Sequence, residues 1–353
     1  MANHAYVGSR TTRERNARGE GISVYEVGPE GELTLIQLVR DLVNPSFLAL
    51  NRAKSRLYTV HGDGNEISTF SVSPADGKIS RIGRRTFVGR NPVHLALDGT
   101  ETSLVVSDHL GTGHGGSLIV LPILDDGTVG ETSQKLELEG LPGPHRKEQP
   151  FAKPHFNPFD PSGKFILVPD KGLDKVFVFS FAEGRARPAC TPWVKTRSGA
   201  GPRHLAFHPH APFVYVVNEL DSTVAAYRFD ASNGGLEPFQ ILSCLPDTFT
   251  GDSTASEIEI SRSGKTLYAS NRGSDSIAVF GVDANDGRLR LQDVVHSHGR
   301  TPRFFTLGPK GDCLYVLNED SDNIVRFFID PATGMIGSRV GETSCASPVC
   351  LVF

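Results

Sequence analysis

Apolar residues in this chain fall into short runs cut by glycine, proline, aspartate and asparagine, a rhythm of strands and turns rather than helices. The stretch Gly201–Phe229, GPRHLAFHPHAPFVYVVNELDSTVAAYRF, shows the unit most clearly. Its apolar positions alternate or cluster in Leu205–Phe207, Val214–Val217 and Val224–Tyr227, with Pro209 and Pro212 between the first two. Two prolines so close exclude one continuous helix. The pattern therefore predicts strand A, a hairpin, strand B, a charged corner and strand C.

The unit recurs. Taking Pro45, Pro92, Pro154, Pro202, Ala255 and Pro302 as anchors, the spacings are 47, 62, 48, 53 and 47 residues. Thirteen positions after each anchor lie Tyr58, Val105, Leu167, Tyr215, Tyr268 and Tyr315, all inside apolar runs. Three further on come the corner residues His61, Asp108, Asp170, Asn218, Asn271 and Asn318, and a third apolar run follows each corner. A seventh anchor, Pro348, is too near the C-terminus to complete a unit, but Tyr6–Ser9 and Ile22–Tyr25 supply strands B and C at the other end. Repeats of this length with four strands each predict a β-propeller. The expected fold is all-β: one domain over residues 1–353, seven four-stranded antiparallel blades, and a ring closed by pairing of the terminal segments.

Composition agrees with a turn-rich β protein: 37 glycines, 23 prolines and 38% hydrophobic residues in 353. A formal net charge of −4 offers no general attraction to nucleic acid or anionic membrane. No apolar run is long enough to span a bilayer. Strand residues beginning at His4 leave no room for a signal peptide, so the expected location is cytoplasmic. Cys190, Cys244, Cys313, Cys345 and Cys350 are odd in number and lack CxxC spacing, which predicts buried thiols rather than disulfides or a metal site.

The turns distinguish the two ends of the propeller. A–B turns such as Pro161–Lys164 and C–D turns such as Asn285–Gly287 are tight. The opposite end carries long connections: Ser9–Gly21 with four arginines, the segment before Pro154 with His145, Arg146 and Lys147, and Cys244–Thr254. Long loops on one end of a rigid scaffold are where sites usually form. The residue after each anchor opens the innermost strand on that end, and it is His155, Arg203 and Arg303 in three repeats. His204 and Glu257 stand one position later, and the corners add Glu219, Arg272 and Glu319. Arginine suits bidentate capture of a carboxylate or phosphate. Histidine or glutamate can move a proton when its surroundings tune it. GTGHGG at Gly111–Gly116 lies in a B–C connection without the strand–helix context of a dinucleotide site, so it reads as rim, and no cofactor is expected.

With these residues in view, GPRHLAFHPHAPFVYVVNELDSTVAAY, SEIEISRSGKTLYASNRGSDSIAVF, TPRFFTLGPKGDCLYVLNEDSDNIVRF and the opening AYVGSRT resemble the lactonase family of seven-bladed propellers. That family holds bacterial propeller-type 6-phosphogluconolactonases and fungal 3-carboxy-cis,cis-muconate lactonizing enzymes. The resemblance implies a catalytic set of His155, Arg203, Glu219 and Arg272, with no metal. Arg303, His204, Glu257 and Glu319 are then expected to bind substrate. The implied activity is hydrolysis of an anionic sugar lactone such as 6-phosphogluconolactone, with Glu219 or His155 as the base. A lactonizing cycloisomerase and a non-catalytic propeller holding a small ligand or partner are the alternatives. An Arg, His and Glu surface favours an enzyme over a peptide-binding face.

Overall fold

The computed structural model describes residues 3–353. Seven antiparallel sheets are present among these residues. The first joins Pro348–Val352 to Asn3–Ser9, Ile22–Val27 and Leu33–Val39, in that spatial order. It is blade 1, and blades 2 to 7 follow along the chain. Pairing of Tyr6 with Val352, Val7 with Leu351 and Gly8 with Cys350 closes the ring as expected. Gly8 is required there by close approach: a Cβ on it would lie 2.2 Å from the carbonyl oxygen of Pro45 in blade 2.

Six blades have four strands, whereas blade 4 has three: Phe165–Asp170, Lys175–Ala182 and Arg185–Lys195. Its innermost position is held only by two isolated bridges, Pro154 to Asp170 and Phe159 to Ile166. Pro154 and Pro158 have no N–H to give a ladder, and the N–H of Asn157 donates instead to Nδ1 of His94 in blade 3. Tight turns and long connections fall on the strand ends assigned above.

Seven apolar clusters hold the ring, each made by two consecutive blades. Strand B of blade 5 shows why its sequence reads VYVV without polar alternation. Tyr215 and Val217 face blade 6, while Val214 and Val216 face blade 4. A strand buried on both sides alternates between two apolar interfaces. The strand-B tyrosines add a polar tie. Tyr6, Tyr58, Tyr215, Tyr268 and Tyr315 each donate to a C–D turn glycine carbonyl of the next blade, those of Gly77, Gly127, Gly287, Gly334 and Gly31, at 2.6–2.9 Å. Val105 and Leu167 occupy the position in blades 3 and 4, so the joints around blade 4 have no such tie.

The innermost strands share an irregularity that creates the site. In blades 2, 3, 5 and 7 the register shifts at the residue after the anchor, leaving Ser46, Val93, Arg203 and Arg303 as extra, unpaired residues. Val349 is skipped in the same way in blade 1. A β-bulge bends its strand and re-aims a side chain. Here it lets two consecutive residues serve the inside of the ring: the first at the mouth, the second in the channel below.

Of the five cysteines, all free, four are buried and Cys190 is exposed on the outer strand of blade 4, so the expectation of buried thiols fails there. An outermost propeller strand has no further blade to cover it. Removal of residues 348–353 would take away the buried Val349, Cys350 and Leu351 and leave Asn3–Ser9 as an unpaired inner edge of blade 1. The expected loss is about 5 kcal/mol or more, measurable as a lower urea midpoint; an unchanged midpoint would refute closure as the stabilising feature.

Candidate active site

Two rings of side chains surround a cavity of about 340 Å³ at the long-loop end. The residue after each anchor forms the lower ring, and Ser46, Val93, His155, Arg203, Arg303 and Val349 all line the cavity. The residue after each corner forms the upper ring. It includes Glu219 and Arg272, as expected, together with Arg10, His109 and Lys171. The last three occupy the same repeat position, and counting one residue past every corner would have found them. Lys153, immediately before the Pro154 anchor, also lines the cavity and had no such signal.

Blades 1 and 4–7 make this rim charged. Buried Glu219 lies between Lys171 Nζ at 3.1 Å, Arg203 Nε at 3.1 Å and Arg272 Nη2 at 3.4 Å. Its contact with Arg203 is an ion pair off the hydrogen-bond direction. Burial would raise the Glu219 carboxyl, but Lys171, Arg272 and Arg203 outweigh it and hold the group well below the carboxylate range. Arg203 also donates to Ser256 O at 2.7 Å, and Arg272 to Ala255 O at 3.1 Å, so both are tethered to blade 6. Glu319 pairs with Arg10 at 2.9 Å and more loosely with Arg303 at 3.8 Å. Glu319 therefore serves Arg10 and Arg303 rather than offering a free carboxylate. Among the described residues Lys153 Nζ has neither an ion pair nor a hydrogen bond, and the terminal nitrogens of Arg303 have no hydrogen bond.

The long connections contribute unequally. Ser9–Gly21 delivers Arg10 and Arg15, while Arg18 pairs with Asp322 away from the cavity. From the segment before Pro154 it is Glu148 that arrives, 2.8 Å from Lys171; His145, Arg146 and Lys147 stay exposed. Cys244–Thr254 lines none of it.

Below the mouth the channel is filled. Phe47, His94, Phe156, His204 and Phe304 pack ring against ring, with Phe156 and His204 stacked at 4.2 Å. His204 and Glu257 reach the wall, but their contacts are with each other: His204 Nδ1 lies 2.8 Å from Glu257 Oε1. The other ring nitrogen of His204 is 3.1 Å from His155 Nδ1. His155 Nε2 has no partner among the described residues. Burial first, then the Arg203 charge, hold His155 and His204 well below the usual imidazole range. Burial pushes Glu257 up, against the opposing pull of Arg203.

A closed propeller with a cation-rich basin and an unpartnered imidazole has the parts of a hydrolase for small substrates. The chain matches the family described as "Lactonase, 7-bladed beta-propeller" over residues 4–353, and it belongs to that family. It is 30% identical over 360 residues to the 6-phosphogluconolactonase of Bacillus subtilis (strain 168), covering 99% of this chain and 97% of the relative. Against the 6-phosphogluconolactonase of Pectobacterium carotovorum it is 32% identical over 317 residues, 89% of each chain. Among solved structures, the periplasmic gluconolactonase PpgL of Pseudomonas aeruginosa superposes with a TM-score of 0.90 at 27% identity, covering 99% of this chain and 98% of that one. Among the described residues no three His, Cys, Asp or Glu side chains form a group able to hold a metal. No helix among them is long and apolar enough to cross a membrane.

Replacing Glu219 by Gln would leave Lys171, Arg203 and Arg272 facing one another. At neutral pH the variant should be less stable by about 3–5 kcal/mol, the scale of a broken buried ion pair. A carboxyl depressed on folding stabilises above its unfolded value, ~4.3, and loses that contribution as pH falls towards its folded value. The difference in urea midpoint between E219Q and the native protein should therefore shrink in acid. A gap unchanged or widening below pH ~4 would contradict the ion-pair account.

Proposed function

We propose that this protein hydrolyses an anionic sugar lactone such as 6-phosphogluconolactone, with His155 as the base. What carries the reading is the unpartnered Nε2 of His155 in the same basin as Lys153, whose ammonium is unpaired among the described residues, and Arg303, whose terminal nitrogens have no hydrogen bond there. Lys153 and Arg303 hold the phosphate and lactone oxygens. His155 Nε2 takes a proton from a water as its oxygen adds to the carbonyl carbon, and an arginine N–H stabilises the resulting oxyanion. Collapse breaks the ring C–O bond, and the departing alkoxide recovers the proton from His155. Water is consumed, and the carboxylic acid so formed releases its remaining proton to solvent to become the carboxylate. Glu219, pinned by three cations, is a weak base and acts by organising Lys171, Arg203 and Arg272. Sequence relatives named as 6-phosphogluconolactonases support this substrate class.

The cations facing His155 also give the site a preference. Burial first, then the charges of Arg203 and Arg303, lower its proton affinity before an anion binds. A bound anion cancels part of that field and brings the imidazole towards the range where it works as a base at neutral pH. Titration of the His155 ring by NMR should show its midpoint rising when 6-phosphogluconate is added. No upward movement would remove the coupling between anion and base.

Turnover of 6-phosphogluconolactone, gluconolactone and carboxymuconolactone under pH-stat tests the activity itself. His155→Gln should lower kcat by ~10²–10⁴-fold. Lys153→Met should raise KM for the phosphorylated lactone ~10–100-fold, as expected for losing a hydrogen bond to a charged group, with far less effect on gluconolactone. Equal effects on both lactones would exclude Lys153 from anion binding, and no turnover of any of the three would exclude the lactonase reading.

A further inference from the structure

We propose that Glu257 and His204 are positioning residues, a buried relay that fixes His155 in the tautomer whose Nε2 lone pair is available to the cavity. This rests on His155 being the base. The proton positions follow from one fixed donor. The backbone N–H of Ile258 donates to Glu257 Oε1 at 3.0 Å, so that oxygen is an acceptor. His204 Nδ1, 2.8 Å from the same oxygen, must therefore carry a hydrogen. His204 is 2% exposed, stacked on Phe156 and close to the charges of Arg203 and Arg303, so the ring is neutral and its Nε2 holds a lone pair. His155 Nδ1, 3.1 Å away, is then the donor. That leaves Nε2 of His155 unprotonated and without a partner among the described residues. The opposite assignment would set the lone pair of His204 Nδ1 against Oε1, or put a proton on an oxygen already facing the Ile258 N–H. Which nitrogen of a histidine carries the proton is set by the bond that the other one makes.

Each member comes from a different blade: His155 from the irregular inner segment of blade 4, His204 and Glu257 from the innermost strands of blades 5 and 6. The aromatic channel filling holds the His204 ring nearly parallel to Phe156, 20° between the two planes. Glu257 Oε2 is buried without a partner. An unsatisfied buried carboxyl oxygen is unfavourable, and a relay anchored on the other oxygen accounts for retaining the residue. His204 and Glu257 thus act through His155 rather than on the substrate.

The test is the tautomer itself, read from ¹⁵N-histidine-labelled protein, with the His155 signals assigned by their loss in His155→Gln. The native protein should show His155 protonated on Nδ1 and not on Nε2. His204→Phe keeps a ring stacked on Phe156 but offers no acceptor, so the Nδ1–H pattern should be lost. Its kcat on 6-phosphogluconolactone should fall ~10²–10⁴-fold, the scale of a misplaced imidazole proton, with KM within about threefold. Glu257→Gln retains a carbonyl acceptor and should keep the tautomer; Glu257→Leu should not. An Nε2–H tautomer in the native protein overturns the relay even if no variant folds. So does a His204→Phe protein that keeps both tautomer and kcat. Native protein that hydrolyses no lactone but shows the Nδ1–H form would instead refute the hydrolase reading and leave the relay standing.

Discussion

Every blade of this ring buries both faces against its neighbours, so no blade is complete until the last is in place. The strand Pro348–Val352 supplies that completion by pairing with Asn3–Ser9. The constraint reaches the site directly. Arg10 from the first loop pairs with Glu319 of blade 7, and the charges of the basin come from blades 1 and 4–7 together. An open ring would still contain most of its strands, but its cations would no longer face one another. Five tyrosine ties to turn carbonyls reinforce the joints, and the two joints without one flank blade 4. That blade also lacks a regular innermost strand, and His155 lies on the irregular segment that replaces it.

Gathering like charges needs compensation. Glu219 offsets three cations at once and Glu319 two, which keeps the basin positive without leaving each cation unbalanced. Such preorganisation is unfavourable to stability and useful to chemistry, because the donors are already in place when charge develops. The neutral side of the mouth, with Ser46 and Val93, gives a sugar ring a surface that does not compete for those donors. Phe47, Phe156 and Phe304 below exclude water, so the charges above act in a less polar medium than an open channel would provide.

Much of this was legible in the chain. Because the strand-B runs are apolar on two faces and corners recur at a fixed offset, the blade count, the closure and the end bearing the site all followed from periodicity. So did the membership of His155, Arg203, Arg303, Glu219 and Arg272 in one basin, since equivalent repeat positions point to equivalent places. Lys171, His109 and Arg10 obey the same offset and were within reach of it.

What periodicity could not convey is how side chains divide the work once they meet. Glu219 reads as a base from its type, but three cations from separate blades make it a weak one. His204 and Glu257 read as substrate ligands, yet a bulge at each innermost strand drops the second residue into the channel, where they bind each other. Blade 4 has no regular inner strand where Pro154 and Pro158 lack an N–H and Asn157 finds its partner in His94 of blade 3. Local pattern determines which residues form strands and at which end each lies, because burial on two faces leaves a trace in every repeat. Protonation, pairing and the free nitrogen of His155 depend on distances between residues some fifty positions apart in the chain. Only the closed tertiary structure brings those groups within reach.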